Sequence, residues 1–277
     1  LRALKELANI QGDLDVGGIV FTLGPRINAA GRVAHARAAV ELLISSSEVE
    51  AMSLAEKVDI KNDLRREFDI SITEEAIAMI EGDEMRKLAK STVLYKDTWH
   101  KGVIGIVAAR CVEKYYRPTV ILTSSNDKIT GSARSIKDFD LYEAISQCGD
   151  LLEKFGGHKY AAGLTLAKEN LSAFQQRFEE VVAASITEDM MVPVVEVDVA
   201  SGVFAKNSLT GFKEKHIRFL AAQEENDSVF NAVGFDLMEY YERIASGDSF
   251  DMAFTIEENT YNGNTSIQLR IKDIKFD

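Results

Sequence analysis

Cysteine is scarce: Cys111 and Cys148 are the only two in 277 residues, and neither has metal or redox spacing. That excludes a disulfide framework and fits a reducing cytoplasm. The four histidines, His35, His100, His158 and His216, are scattered, and no carboxylate–histidine cluster could hold two metal ions. Long apolar runs are missing, and none approaches the roughly 18 residues of a membrane span. No stretch reads as a signal or transit segment. Net positive charge is absent, at -12. Nucleic acid would therefore have to be met by local basic spots and backbone amides, not by the overall field. Internal repeats and low-complexity tracts are also lacking.

What is present is a soluble globular composition, 46% hydrophobic, in short periodic runs. The length suits one to three domains. The chain opens on Leu1 in mid-helix, which reads as a piece of something longer. Residues 1–10 end an amphipathic helix with Leu1, Leu4, Leu7 and Ala8 on one face. Gly17-Gly18-Ile19-Val20-Phe21 reads as a glycine hinge into a short buried strand or turn. From Ser45 to about Lys90 a long helical pattern runs, as one helix or as two joined near Ser71. Ser47 with Glu50 makes its capping box, its charge run reads as a solvated face, and it looks like a connector between lobes.

From Thr92 strand and helix alternate. Thr92–Tyr95, Pro118–Leu122 and Ile129–Ser135 read as strands, with a helix over Val103–Tyr116 and a turn at Ser124–Asp127. Asp140 caps a helix to Phe155, and Asn170 caps another through about Ala184. This is a compact α/β domain of about 95 residues. Beyond Thr187 the pattern is nearly all β. Five strands (Val192–Val199, Ile217–Ala221, Val229–Phe235, Phe250–Glu257, Thr265–Ile274), one helix over Leu237–Ile244 and an Asn262-Gly263 turn suit an OB barrel. Tyr240, Tyr241, Tyr261 and Phe230 are candidate base-stacking residues, against the commoner core role.

Four stretches carry phosphate-type donors. Leu23–Arg32 is a small-residue segment with Arg26 and Arg32, followed by Arg37, and guanidinium forks suit bidentate phosphate contact. Trp99–Ala108 puts His100 and Gly102 before a helix whose free amides could take an anion. Gly131–Ser135 offers Ser132, Arg134 and Ser135. Phe155–Leu166 contains Gly156, Gly157 and His158, where two glycines allow close backbone approach and the imidazole can donate or transfer a proton. Each alone is as readily a turn, a helix start or a solvated loop; together they converge on a phosphate.

These stretches, in this order, resemble the RecJ-type single-stranded-DNA-specific exonucleases of the DHH phosphoesterase superfamily, and the tail Glu257–Ile274 resembles the end of their OB barrel. The resemblance implies 1–44 as the end of the DHH catalytic domain and 45–90 as a connecting helix. It implies 91–187 as the DHH-associated α/β domain and 188–277 as the OB-fold domain. It implies hydrolysis from the 5′ end of single-stranded DNA in repair and recombination, with Mn²⁺ or Mg²⁺ in the full-length enzyme. Ser132, Arg134 and Ser135 would hold the terminal phosphate; His158, with Gly156 and Gly157, would line the cleft near the scissile phosphate as the catalytic candidate. Arg26 and Arg32 match basic positions, and His100 and Asn28 are further candidates.

The Asp-His-His triplet of that family is absent. This piece alone is therefore expected to hold no metal and to be inactive, with weak, salt-sensitive affinity for 5′-phosphorylated strands. Ser201–Gly211 is also shorter than in the family, through a deletion or through residues missing from the numbering. Expected partners are single-stranded DNA and repair proteins, with no membrane, for a cytoplasmic monomer. Two other readings are a nanoRNA or cyclic-dinucleotide phosphodiesterase, which generally lacks the barrel, and a non-catalytic nucleic-acid-binding scaffold.

Overall fold

The computed structural model describes residues 1–277 except 11, 15, 194–197, 206–208, 213–214, 224–225, 262–263 and 277; the side chains of 198–201, 226–227, 260–261 and 264 are also outside the description. The Asn262-Gly263 turn and part of Ser201–Gly211 fall outside it. The chain divides into two units, Leu1–Pro193 and Val194–Asp277.

The first unit begins with α1 (Arg2–Leu7), a π-helical turn (Gly18–Leu23), α2 (Gly24–Val33) and α3 (Arg37–Ile44). The expected buried strand or turn at Gly17–Phe21 is thus helical, and Phe21 is 81% exposed. Ser47 opens α4 (Glu48–Glu81) by accepting from the Glu50 amide at 3.4 Å. Only half of a capping box forms, because the Glu50 carboxylate accepts from Ser45 instead. The helix runs unbroken through Ser71 and stops at Gly82, where Asp83 caps the short α5 (Glu84–Leu88) through the Met85 and Arg86 amides.

Two cores share α4. Its first half, Leu54, Ala55 and Val58, packs with Leu4, Leu23, Ala30, Ala39 and Leu42. Its second half, Ile72, Ala76 and Ile80, packs with Trp99, Val103, Val107 and Ile121. Between these halves the buried stripe is polar: Asn62 and Asp69 are fully enclosed. Val49, in the first turn of α4, is exposed.

Five strands follow: β1 (Thr92–Tyr95), β2 (Thr119–Ser125), β3 (Lys128–Arg134), β4 (Lys154–His158) and β5 (Ala161–Leu166), in the order β1-β2-β3-β5-β4. β1 and β2 are parallel, joined by α6 (Ile104–Tyr115), and the rest are antiparallel. The β2–β3 turn has Asn126 and Asp127 both at positive φ, as a two-residue hairpin requires. Asp140 caps α7 (Leu141–Ser146) through the Glu143 amide, but that helix ends nine residues short of Phe155. The glycine stretch is therefore not a turn after a helix but the edge strand β4. Asn170 stands at the start of α8 (Leu171–Ser185) without capping it, its amide donating to Leu151 O.

α7 and α8 cover one sheet face over Val120, Leu122, Ala133, Leu164 and Leu166. Phe174 and Phe178, one helical turn apart, are completely buried there, each worth about 1.5–3 kcal/mol. α6 covers the other face through Leu94 and Ile121 and reaches β3, where Gly105 abuts Ser132 and Arg134.

Arg117 ties the end of α5 to this sheet. It is 3% exposed, and its guanidinium donates to Arg86 O at 2.7 Å, Lys87 O at 3.1 Å, Ala89 O and Thr92 Oγ1. Those carbonyls end a helix and have no other helical partner. Arg117→Met should lower stability by about 3 kcal/mol, because acceptors are left buried and unmet. Urea unfolding checks it; an unchanged midpoint would mean water reaches the carbonyls.

The second unit contains β6 (Asp198–Ala205), β7 (Thr210–Phe212), β8 (His216–Gln223), β9 (Asn226–Gly234), α9 (Tyr241–Ala245), β10 (Phe250–Tyr261) and β11 (Asn264–Lys275). β6 pairs with both β10 and β8, and β9 pairs in parallel with β11, so five strands close into a barrel. β7 adds a short sixth strand beside β8 that the pattern did not suggest. Val203, Ile217, Phe219, Ala232, Met252, Leu269 and Ile271 fill the interior. Among the described residues no helix is long and apolar enough to cross a membrane.

Candidate functional site

The sheet face opposite α7 and α8, beside the start of α6, carries the donors, because strand register lines them up. Ser132 stands beside Gly163, which stands beside Gly156. Two residues along, Arg134 stands beside Ala161, which stands beside His158. Side chains two apart share a face, so Ser132 and Arg134 flank one side of a small-residue floor and His158 the other. Two strand spacings of about 4.8 Å separate them. That is room for a phosphodiester.

The glycines in this floor are not interchangeable. Gly157 has φ +154°, and a Cβ there would lie 2.2 Å from Ala161 O. At Gly156 a Cβ would meet nothing within 4 Å, so that position is open toward solvent. His158 is exposed, and its Nδ1 accepts from the Tyr160 amide at 3.3 Å. The neutral ring then carries its proton on Nε2 and presents a donor.

Arg134 is half-buried. Its Nη1 donates to Ser132 Oγ at 3.2 Å and Ala133 O at 2.7 Å, with no carboxylate bonded among the described residues. Burial, and secondarily the charge of Arg32, push its pKa down. An anion would relieve both. Arg32, at the end of α2, is exposed and, among the described residues, donates only to Gly102 O, at 3.3 Å. Asn28 is exposed one turn earlier on α2.

Other expected residues are engaged elsewhere. Arg26 donates to Asp59 Oδ1 at 2.7 Å and Thr22 O at 2.9 Å, which holds α2 on α4. Ser135 Oγ donates to Phe139 O at 2.9 Å. His100 stacks on Phe68 at 5.0 Å, and its Nδ1 accepts from the Gly102 amide. At the start of α6 the Val103 and Ile104 amides donate to His100 O and the Ile106 amide to Val103 O, so three of the expected amides are taken.

Sequence reasoning missed the polar patch on α4. Asp69 accepts from Arg110 Nε at 2.8 Å and Nη2 at 2.9 Å, and lies 3.5 Å from Arg65. The bidentate bond raises the Arg110 pKa; burial, with Arg66, Arg32 and Arg110 nearby, lowers that of Arg65. Arg110 thus holds the carboxylate, and Arg65 shares it at longer range. Among the described residues no three His, Cys, Asp or Glu side chains gather as a metal site.

The barrel has its own candidate surface. On its outer face Arg218, Val233 and Arg270 are cross-strand neighbours. Phe212, His216 and Phe235 form a cluster with centroids 5.1–6.3 Å apart. Arg218 lies over Phe212 and Arg270 over Phe235, each at 5.4 Å. Tyr240 and Tyr241 instead pack on the barrel core, Phe230 lines a separate apolar cleft, and the side chain of Tyr261 is outside the description.

The DHHA1 domain family matches residues 87–184, and the RecJ OB domain family matches residues 196–273. The single-stranded-DNA-specific exonuclease RecJ of Bacillus subtilis is 33% identical over 98% of this chain, which spans 39% of that relative. Crystallised RecJ from Thermus thermophilus with Mn²⁺ superposes with a TM-score of 0.74 at 23% identity, over 100% of this chain and 44% of that one. An exonuclease RecJ bound to manganese gives 0.59 at 30% identity, over 68% of this chain and 46% of that one. The chain spans less than half the length of these relatives.

Proposed function

We propose that this chain, a RecJ-type polypeptide by its DHHA1 and RecJ OB domains, is the substrate-holding part of an exonuclease that shortens single-stranded DNA from a 5′ end. The observation that carries this reading is the open sheet face, where Ser132 and Arg134 confront His158 across a glycine–alanine floor. Arg134 and Arg32, neither bonded to a carboxylate, receive the terminal phosphate, with Ser132 donating beside them. His158 donates from Nε2 to an oxygen of the next phosphate, and the bare Gly156 backbone lets the strand lie close. Arg26 serves by holding α2, Ser135 by holding its own loop, and His100 by shaping the loop that meets Arg32; Asn28, on the same face of α2 as Arg32, is a further strand contact.

Hydrolysis belongs to a preceding catalytic domain, of which residues 1–44 are the end, with 45–90 as connector, 91–187 as DHH-associated domain and 188–277 as OB domain. Mn²⁺ or Mg²⁺ held there would generate the attacking hydroxide. This chain alone binds no such pair and does not cleave. Repair proteins as partners, a monomeric state and a cytoplasmic setting complete the proposal. The barrel after the DHHA1 domain weighs against the cyclic-dinucleotide reading.

The test is fluorescence anisotropy with 5′-phosphorylated and 5′-hydroxyl oligonucleotides at two salt concentrations. Tighter, salt-sensitive binding of the phosphorylated strand supports the reading; equal binding of both sinks it. In the barrel, Phe235→Ala should weaken both strands alike, by about 1–3 kcal/mol, because stacking ignores the terminal group. If Phe235→Ala leaves the anisotropy curves unmoved, the aromatic cluster is only a fold element.

A further inference from the structure

Two glycines three residues apart, Gly102 and Gly105, have no part in that account. Gly102 closes the loop before α6. A Cβ there would lie 1.9 Å from Arg32 O and 2.7 Å from Arg32 C, so the last turn of α2 rests directly on this residue. Arg32 Nη1 returns a bond to Gly102 O. The loop is itself pinned to α4. Trp99 Nε1 and Lys96 Nζ donate to Glu75 Oε2 at 2.7 and 2.9 Å, and His100 stacks on Phe68 while accepting from the Gly102 amide. Gly102 is therefore a fixed abutment for α2.

Gly105 does the same for the other arginine. It lies in the first turn of α6, where a Cβ would sit 2.9 Å from Ser132 Oγ and 3.0 Å from Arg134 Nη2. A helical glycine costs about 1 kcal/mol relative to alanine, and its neighbours Ile104, Val107 and Ala108 are ordinary buried residues. The space its missing side chain leaves is filled by the Arg134 guanidinium. One short corner of chain thus touches both arginines, one from α2 and one from β3.

We infer that Gly102 and Gly105 are positioning residues that set Arg32 and Arg134 at the separation one phosphate can bridge. The purpose rests on the phosphate reading above; the geometry does not. Gly105→Ala displaces only side-chain ends, so the fold survives and Arg134 moves outward. Gly102→Ala collides with backbone and pushes the end of α2 away.

The experiment is phenylglyoxal labelling of the arginines, mapped by mass spectrometry, alongside oligonucleotide anisotropy. Gly105→Ala should raise labelling of half-buried Arg134 several-fold and leave Arg32 unchanged. Gly102→Ala should speed amide exchange at Arg32–Ala34. Each should weaken 5′-phosphorylated strand binding about tenfold. Gly105→Ala should add nothing in an Arg134→Ala background, the non-additivity of residues acting through one another. If Gly102→Ala fails to fold, Gly105→Ala carries the test. Unchanged Arg134 labelling, or additive losses, would overturn the inference. Labelling that shifts as expected in a wild type blind to the 5′-phosphate would keep the positioning role and remove the phosphate reading.

Discussion

Arg134→Ala should remove the preference of this chain for a 5′-phosphorylated single strand, weakening that strand ten- to a hundredfold while leaving the 5′-hydroxyl strand nearly unchanged. The size follows from losing charge-assisted bonds of about 1.5–3 kcal/mol in a half-buried setting. Arg134 is well placed for so large an effect because it has no bonded carboxylate to lose: its partners are Ser132 Oγ and Ala133 O, both neutral. Arg26→Ala provides the contrast. Its guanidinium is already neutralised by Asp59, so it should affect stability more than phosphate preference. The slope of log affinity against log salt should fall by about 0.7 for the Arg134 variant, one released counterion on a single strand. Equal losses on both strands would make Arg134 a general backbone contact and not an end reader.

The outline of this fold was legible because strand alternation and short apolar runs are local signals. Thr92–Tyr95 is a strand as its pattern suggested, and four barrel strands lie within a few residues of their expected places, while the first, expected at Val192–Val199, is Asp198–Ala205. What failed needed register. Gly156-Gly157-His158 looks like a turn in isolation. It is a strand because Phe155 and Gly157 pair with Leu164 and Ala162, and Gly157 needs a backbone angle that only glycine takes easily. In the barrel, aromatic residues alone could not reveal which side they face. Phe212, His216 and Arg218 alternate with the buried Ile217 and Phe219, and that parity, with the unsuspected β7, puts them outside. The α4 patch did have a signal. The buried stripe Ala55, Val58, Ile72, Ala76, Ile80 has polar Asn62 and Asp69 at its intervening positions. A polar residue at a core step of an amphipathic helix is not a solvated face.

That patch carries the last large effect. Asp69→Ala should destabilise the first unit by about 3 kcal/mol, near the lower end for breaking a buried pair, because Arg110 is 48% exposed and can rehydrate. Arg65 cannot: its side chain is 14% exposed and is left with only Asn62 Oδ1, at 2.9 Å. For a unit of this length that is roughly 6–12 °C in Tm. The same substitution removes the buried carboxylate from a neighbourhood that includes Arg32, Arg65 and Arg110, with Arg134 next to Arg32. Added inorganic phosphate should therefore raise the melting temperature of Asp69→Ala more than that of wild type, since a ligand stabilises in proportion to its affinity for the native state. A double substitution with Arg65→Met should recover part of the loss, because the stranded charge is gone. Calorimetry with and without phosphate decides it. A variant that melts like the wild type would mean Asp69 is hydrated in solution. A normal loss without the larger phosphate response would mean that the arginines of α4 and α6 lie electrically apart from Arg134, and that the anion site ends at Arg32.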